Sequence, residues 1–456
     1  MGPASSLDGA DSLQPLPPSP FRRKTRQPLQ PPGSNYPRFC RSRTLPSLAG
    51  LFRLPASPSL GLQLRHSSRC PGQRGCRFLR SRTFGPLAKT RPLGHLRTSI
   101  RPLHPFLLGR EKLVKALTIV GGGLAGLTLG LLLRRKQVPV TLYEAGIYTR
   151  HRVCGEYLCG RALTVIESLG LRPSLERLGA VKSHDVVMVR GSKNLPRHQL
   201  PQPALCFSRY EFDRLIAEEL SLAGGIIETR TRAPTEPSEG VVLATGRQPS
   251  SLEKGWRWFG LKAHARGVAL QAGLEMHLAP HGYIGLCRIE DQQVNVCGLF
   301  RSRNPVPNLA TSWKTWLSGE VGSLLHQRLR DAAWDDSSFS SIAALSLSPR
   351  KSIDRDGLRL GDALTMIPPV TGNGMSMAIE GANLAAEPLI DWASGRIDWI
   401  SMSRNVGQLL DQAFASRLRY ARFLQHAMLD PFAQSVAWTL SQMFPGFPSL
   451  LFRLTR

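Results

Sequence analysis

Long apolar runs are absent from this sequence, and acidic residues are scarce in its first quarter. No stretch of eighteen consecutive apolar residues occurs, so the sequence predicts no membrane-spanning helix. Between Asp11 and Glu111 there is no Asp or Glu, and the segment up to this point carries about two-thirds of the net charge of +27. The remainder of the chain is only moderately basic, so the overall charge says little about the folded part.

Paired cysteine motifs are also absent. The eight cysteines show no C-x-x-C spacing, and no histidine stands at the spacing of a metal ligand. We therefore expect free thiols, no metal site and a reducing compartment, for which the cytoplasm is the simplest assignment.

The first 112 residues are rich in Pro, Arg, Ser and Leu and show no sustained helical or strand periodicity. We expect this basic extension to be disordered, because such a composition cannot bury a core. Three interpretations stay open: a targeting peptide for organelle import, a nucleic-acid-binding tail, or translation of sequence upstream of the true start. The tail lacks interleaved aromatic residues, so no nucleic-acid partner is expected.

The stretch from Ala116 to Glu144, ALTIVGGGLAGLTLGLLLRRKQVPVTLYE, has the order of a dinucleotide-binding βαβ unit. A short β-branched run meets three glycines, an apolar helical segment follows, and a second apolar run ends at an acidic residue. This order predicts a bound dinucleotide at the start of the helix. The alternative is a βαβ unit whose glycines only form a tight turn.

Each glycine of this unit has a separate physical role. Gly121 allows the tight turn out of the strand, and Gly123 allows the backbone to approach a pyrophosphate. Gly126 allows the helix to pack closely on the sheet. The helix then begins with Leu124 and Ala125, whose amide groups face the phosphates.

Later segments predict an inserted sheet and a helical C-terminus. Residues 258–300 read as alternating strands of an antiparallel sheet, residues 308–334 as helix, and the chain from Trp399 onward as amphipathic helices. We predict an α/β fold with a Rossmann-like nucleotide domain (113–170, 205–248 and 353–395), an inserted substrate domain (171–204 and 249–352) and a helical C-terminal segment (396–456).

A second motif follows near residue 360, where a strand leads into GDALTMIPPVTGNG and then into a helix. Asp362, directly after Gly361, can accept a hydrogen bond from a polyol hydroxyl. The Gly372-x-Gly374 turn allows a helix N-terminus to point at an anionic ring edge.

Together, GGGLAG with Glu144, the ATG at 244–246, GDA and PPxxGxG resemble the flavin-dependent oxidoreductases of the p-hydroxybenzoate hydroxylase and geranylgeranyl reductase superfamily. The resemblance covers about residues 116–395. The CGE segment at 154–156 and GYIGLCRIEDQQVNVCGL at 282–299 favour the geranylgeranyl reductase-like branch. It implies bound FAD.

The resemblance also assigns cofactor contacts. The pyrophosphate would meet the glycines of the βαβ unit, and the adenosine ribose would meet Glu144. The remaining contacts fall to the phosphate or ribityl region and to the isoalloxazine, and they comprise Arg152, Arg209, Gly246, Gly361, Asp362, Gly372 and Gly374.

The sequence departs from the family pattern at two places. Thr245-Gly246 stands where the hydroxylases usually have Asp-Gly, and Tyr283-Ile284-Gly285-Leu286 stands where the reductases have an aromatic-rich substrate motif. A prenyl substrate is therefore not implied. No second GxGxxG follows a strand, so NAD(P)H would dock transiently, or a protein would donate the electrons.

Three residues are candidates for catalysis, each with a plainer alternative. Cys154 would stand near the flavin as a thiol or thiolate, or be an inert buried cysteine. Glu156 would be a general acid if burial raises its pKa, or form a surface salt bridge. Tyr283 would line the substrate cavity, or pack in the core of the sheet.

We expect a flavoenzyme that transfers a hydride between FAD and an apolar or aromatic small molecule, by C=C reduction or dehydrogenation. The alternative is an aromatic monooxygenase that uses NAD(P)H and O2. An alternative of another class is a non-catalytic dinucleotide sensor. The C-terminal helices would either cover the substrate or make a peripheral membrane contact, and core packing is preferred.

Overall fold

The computed structural model describes residues 114–249, 252–253, 255–348, 350–352, 356–444 and 446–447. These residues belong to one compact unit, Arg101–Arg456. The predicted disordered extension, residues 1–112, lies outside the described residues.

The first sheet consists of parallel strands and holds the βαβ unit. Its strands lie side by side in the order β14-β8-β1-β2-β7, and their bounds are β1 (Leu117–Val120), β2 (Val140–Glu144), β7 (Ile226–Thr229), β8 (Val241–Leu243) and β14 (Leu358–Arg359). The β-branched residues of β1 are almost fully buried, as expected for the centre of a parallel sheet covered on both faces.

Three helices flank this sheet: α1 (Leu124–Arg135), α4 (Arg209–Leu222) and α7 (Gly374–Ala393). Helix α1 packs against both of the others and is buried along nearly its whole length. The side chain of Ser208 accepts a hydrogen bond from the Glu211 amide, so it caps α4. These elements confirm the predicted Rossmann-like part of the fold.

The second sheet runs in the order β13-β9-β12-β11-β10-β4-β6-β3, and β5 pairs with β4. Its strands are β3 (Tyr157–Leu158), β4 (Val181–Arg190), β5 (Lys193–Asn194), β6 (His198–Cys206), β9 (Arg257–Arg266), β10 (Leu274–Ala279), β11 (Gly282–Arg288), β12 (Val294–Ser302) and β13 (Ala333–Ala343). The sheet is antiparallel except that β10 pairs with β4 in parallel, so the purely antiparallel prediction needs this correction. The positions of the domain boundaries stay a prediction.

Strand β6 departs from the sequence prediction, which placed a proline-containing loop here. Its pairing with β4 is interrupted by a register shift between Ser183 and Asp185, and Pro201 and Pro203 fall inside the interruption. Because proline has no N–H to donate, a strand tolerates it where the ladder is already broken.

The remaining helices are α2 (Ala162–Ser168), α3 (Arg172–Arg177), α5 (Leu309–Leu317), α6 (Leu324–Leu329), α8 (Trp399–Ala427) and α9 (Pro431–Met443). The helical prediction for 308–334 is right for α5 and α6 but misses that β13 begins at Ala333. Within the described ranges, no helix is long and apolar enough to cross a membrane.

A buried ion pair fastens α8 to α7. Arg417 Nη1 lies 2.8 Å from Glu380 Oε2, and both residues are less than a tenth exposed. Next to it, Gly381 leaves room for Leu410 and Phe414 of α8. Helix α8 is thereby held against the parallel-sheet half of the molecule.

We expect Glu380→Ala to lower the stability by about 3–5 kcal/mol, because it leaves the Arg417 charge buried without a partner. The measurement is the urea midpoint followed by circular dichroism. The control is Glu387→Ala on the same helix, at an exposed position. Equal midpoints for the two variants would contradict the role given to the ion pair.

Candidate cofactor and active site

The three predicted glycines stand in very different surroundings. A Cβ on Gly121, whose φ is +111°, would lie 2.2 Å from the Ala244 carbonyl oxygen, and one on Gly126 would lie 2.1 Å from the Gly121 oxygen. No heavy atom lies within 4 Å of where a Cβ of Gly123 would stand. Gly121 and Gly126 therefore allow close backbone packing, whereas Gly123 leaves open space for a ligand.

Two helices begin at one cavity of about 950 Å³. Gly123 is the N-cap of α1 and Asn373 is the N-cap of α7, and neither side chain makes a capping hydrogen bond. Gly123, Gly372 and Gly374 all line the cavity. Both helices thus direct the positive ends of their dipoles toward the same space.

An arginine network borders the same cavity. Arg209 Nε and Arg152 Nε donate to opposite oxygens of Asp213, at 2.8 and 3.1 Å. Arg152 also lies 3.8 Å from Glu144, and Arg150 lies 3.1 Å from it. Three cations face two carboxylates, so this wall keeps a positive charge suited to a pyrophosphate.

Glu144 is placed differently from its predicted role. Its two oxygens accept hydrogen bonds from the Gly122 and Gly146 amides at 2.9 and 2.8 Å, and it does not line the cavity. Arg150, which does line the cavity, lies over it. A ribose hydroxyl reaches Glu144 only if Arg150 moves aside.

Asp362 and Arg247 face the cavity together. Burial raises the pKa of the Asp362 carboxyl to about 6, although Arg209 and Arg247 act in the opposite direction. The Asp362 side chain is exposed to the cavity despite its depth in the fold. Arg247 Nη1 is buried and finds no hydrogen-bond partner among the described residues. An unpaired guanidinium nitrogen at this position fits a ligand that carries hydrogen-bond acceptors.

The cavity brings together most of the predicted site residues. Gly121 and Gly126 lie behind its wall as packing residues, and Glu144 lies under Arg150. The predicted residues that line the cavity are Gly123, Leu124, Ala125, Arg152, Cys154, Glu156, Arg209, Gly246, Tyr283, Gly361, Asp362, Gly372 and Gly374.

Glu156 is the centre of a buried charge cluster. Its Oε1 lies 3.2 Å from Lys262 Nζ and accepts from the Arg209 amide at 3.0 Å, while its Oε2 lies 2.7 Å from His264 Nε2. Burial alone would raise the pKa of the Glu156 carboxyl, but Lys262 and His264 hold it below its usual range. The raised pKa that a general acid requires is therefore not found.

His151 extends this cluster to the cavity. Its Nδ1 lies 3.1 Å from Lys262 Nζ, and burial together with Lys262 lowers the pKa of the imidazole to about 4. A neutral ring facing an ammonium group accepts through Nδ1, so the proton is assigned to Nε2. The sequence analysis missed both residues, although a lysine inside the otherwise apolar strand β9 was a usable signal.

The other two catalytic candidates are both protonated and neutral. Burial raises the pKa of the Cys154 thiol, which outweighs the effect of Arg209. Burial likewise raises the pKa of the Tyr283 phenol well above its ordinary value, and its hydroxyl donates to Gln425 Oε1 at 3.1 Å. Cys154 is thus present as a thiol, and the thiolate considered from the sequence is disfavoured.

Comparison with known families assigns the cofactor. Residues 114–247 match a family described as FAD binding domain, and residues 258–420 match one described as squalene epoxidase. The chain is an FAD-dependent oxidoreductase. The helix starts, the arginine wall and the open space at Gly123 fit FAD, which would lie with its pyrophosphate at α1.

A curated relative matches a short segment of this flavoenzyme. Over 112 residues, 25% of this chain, it is 27% identical to 3-amino-4-hydroxybenzoate 2-monooxygenase PtnB3 of Streptomyces platensis. The match spans 28% of that protein's length.

Several solved structures share the fold. PqsL, a probable FAD-dependent monooxygenase from Pseudomonas aeruginosa, is 16% identical with a TM-score of 0.55, over 70% of this chain and 97% of that one. The flavin-dependent brominase Bmp2 is 18% identical with a TM-score of 0.58, over 74% and 92%. A geranylgeranyl bacteriochlorophyll reductase-like protein from Thermoplasma acidophilum is 16% identical with a TM-score of 0.56, over 74% and 98%. At these identities the likeness shows the fold alone.

We expect Gly123→Val to lose FAD while keeping the fold, because the new side chain fills only the open space at the helix start. The matched control is Gly126→Val, which we expect to unfold the protein because its Cβ collides with the Gly121 carbonyl. The flavin absorbance per protein and the circular dichroism spectrum measure the two effects. Stoichiometric flavin in Gly123→Val would contradict the pyrophosphate placement.

We expect Lys262→Met to destabilise the protein by about 3–5 kcal/mol, because it leaves the Glu156 carboxylate buried without its cation. Adding Glu156→Gln should restore much of the loss, since the remaining groups are then neutral. Urea unfolding of the single and double variants measures this. Lys314→Met, at an exposed ion pair with Asp336, is the control and should cost about 1 kcal/mol or less. A double variant less stable than Lys262→Met would refute the pairing.

Proposed function

We propose that this flavoenzyme is a monooxygenase that inserts one oxygen atom into an apolar or aromatic small molecule, with NAD(P)H as reductant. The observation that carries the proposal is the match of residues 258–420, most of the second sheet and much of α8, to a squalene epoxidase family. The segment shared with a hydroxybenzoate monooxygenase supports the same reaction class. These matches favour the alternative from the sequence over C=C reduction, which we had placed first.

The substrate class follows from the half of the cavity that lies away from α1. The second sheet and the C-terminal helices α8 and α9 supply its walls, and their side chains are mainly apolar. They include Met188, Leu200, Leu274, Met276, Leu278, Leu299, Ile342, Met428 and Trp438. Such walls exclude water and select a substrate by its apolar area, with few polar contacts to orient it.

The polar groups of the cavity have roles that suit this reaction. Bound FAD supplies the two-electron chemistry and the activation of O2. Both helix starts and the arginine wall hold the anionic parts of the cofactor. C=C reduction would also need an acid to protonate carbon, and neither Glu156, held as a carboxylate, nor Cys154, with its raised pKa, is suited to that task.

We expect candidate apolar or aromatic substrates to take up one atom of ¹⁸O from ¹⁸O2, with one NAD(P)H oxidised and one water formed for each product. Mass spectrometry of the product and the NAD(P)H stoichiometry measure this. A reduced, unoxygenated product formed without O2 would refute the proposal and restore the hydride-transfer alternative. Oxygen insertion that proceeds only with a reduced carrier protein would correct the reductant.

A further inference from the structure

A second cavity, of about 470 Å³, lies between α8 and the loop that precedes α7. Its volume falls in the usual range of small-molecule sites, about 300–1,000 Å³. Apolar side chains form part of its wall, and they are Leu364, Leu410, Phe414, Ala415 and Leu418. It offers a ring or another flat apolar group a surface to pack on.

The polar wall of this second cavity is strongly cationic. Arg350, Lys351, Arg419 and Arg422 line it, against a single carboxylate, Asp411. Asp411 already accepts from the Ser352 amide at 3.1 Å. Among the residues that the structure describes, Lys351, Arg419 and Arg422 have no carboxylate within ion-pair distance. The cavity therefore carries an excess of about three positive charges.

This charge pattern identifies the ligand class. A fatty acid, with one carboxylate, would leave most of the cations unpaired. A ligand with several phosphates matches them, and arginine is the side chain best suited to phosphate. An apolar surface for an aromatic base beside phosphate-binding arginines is the pattern expected for a nucleotide.

The second cavity adjoins the FAD cavity through two short segments. Thr365 lines the second cavity, and the next residue, Met366, lines the first. Thr365 Oγ1 accepts from the Arg350 amide at 3.1 Å. The Arg350 guanidinium also donates to Gln248 at 2.9 Å, directly after Arg247 of the FAD cavity.

We propose that the second cavity binds NADPH through its phosphates, with Arg419 and Arg422 as the main contacts. The proposal rests on the monooxygenase function, which requires two electrons per turnover. NADPH gives a hydride from its nicotinamide C4 to the isoalloxazine and becomes NADP⁺, while a proton from solvent completes the reduction. The three phosphates of NADPH suit the cations better than the two of NADH.

The test is calorimetric titration of the FAD-loaded protein with NADP⁺ and with NAD⁺. We expect the double variant Arg419→Gln/Arg422→Gln to weaken NADP⁺ binding at least tenfold and NAD⁺ binding less. Its FAD content and its urea midpoint should stay unchanged, because neither side chain lines the FAD cavity. The control is Arg404→Gln, which is exposed on the same helix and lines neither cavity; it should bind NADP⁺ normally.

Two results would overturn the proposal: unchanged NADP⁺ affinity in the double variant, or no NADP⁺ binding by the unaltered protein. Failure of the monooxygenase function is distinguished by photoreducing the FAD and then admitting substrate and O2. That experiment needs no NADPH, so product formed in it together with absent NADP⁺ binding refutes the second cavity alone.

Discussion

The cofactor site depends on how closely three backbone segments pack at the end of β1. At Gly121 and Gly126 a single methyl group would collide with a carbonyl oxygen, at 2.2 and 2.1 Å. This contact brings the start of α1 against the residue that ends β8, Ala244, and leaves Gly123 facing open space. The electrostatics of the site follow from that geometry, because the dipole of α1 and the arginine wall act on one cavity only when the backbone is this close.

Local signals made the parallel sheet and the cofactor predictable. The βαβ unit and the turn at Gly372 are both written in consecutive residues, where glycine and hydrophobic periodicity have direct meaning. Strands β6 and β13 were missed because non-local pairing creates them. Strand β6 contains two prolines inside a ladder interruption. The serine-rich β13 has no clear alternation and is a strand because it pairs with β9.

The chemistry of the site was less predictable than its location. Glu156 was correctly placed at the cavity, but its protonation depends on Lys262 and His264, more than 100 residues away in sequence. A sequence gives no sign of whether a buried carboxyl will meet an ammonium group, and this decides the direction of its pKa shift. Glu144 shows the same limit, because Arg150 covers it only through the fold of the loop between them.

The order of strands in the first sheet has a consequence for synthesis on the ribosome. Strand β14 and helix α7 complete the FAD cavity, yet they begin only at residues 358 and 374, after the whole second sheet. A nascent chain that has emerged as far as residue 350 holds the pyrophosphate turn but lacks the second helix start. Stable flavin capture therefore belongs to the last stage of translation, and truncated chains would emerge without the yellow chromophore.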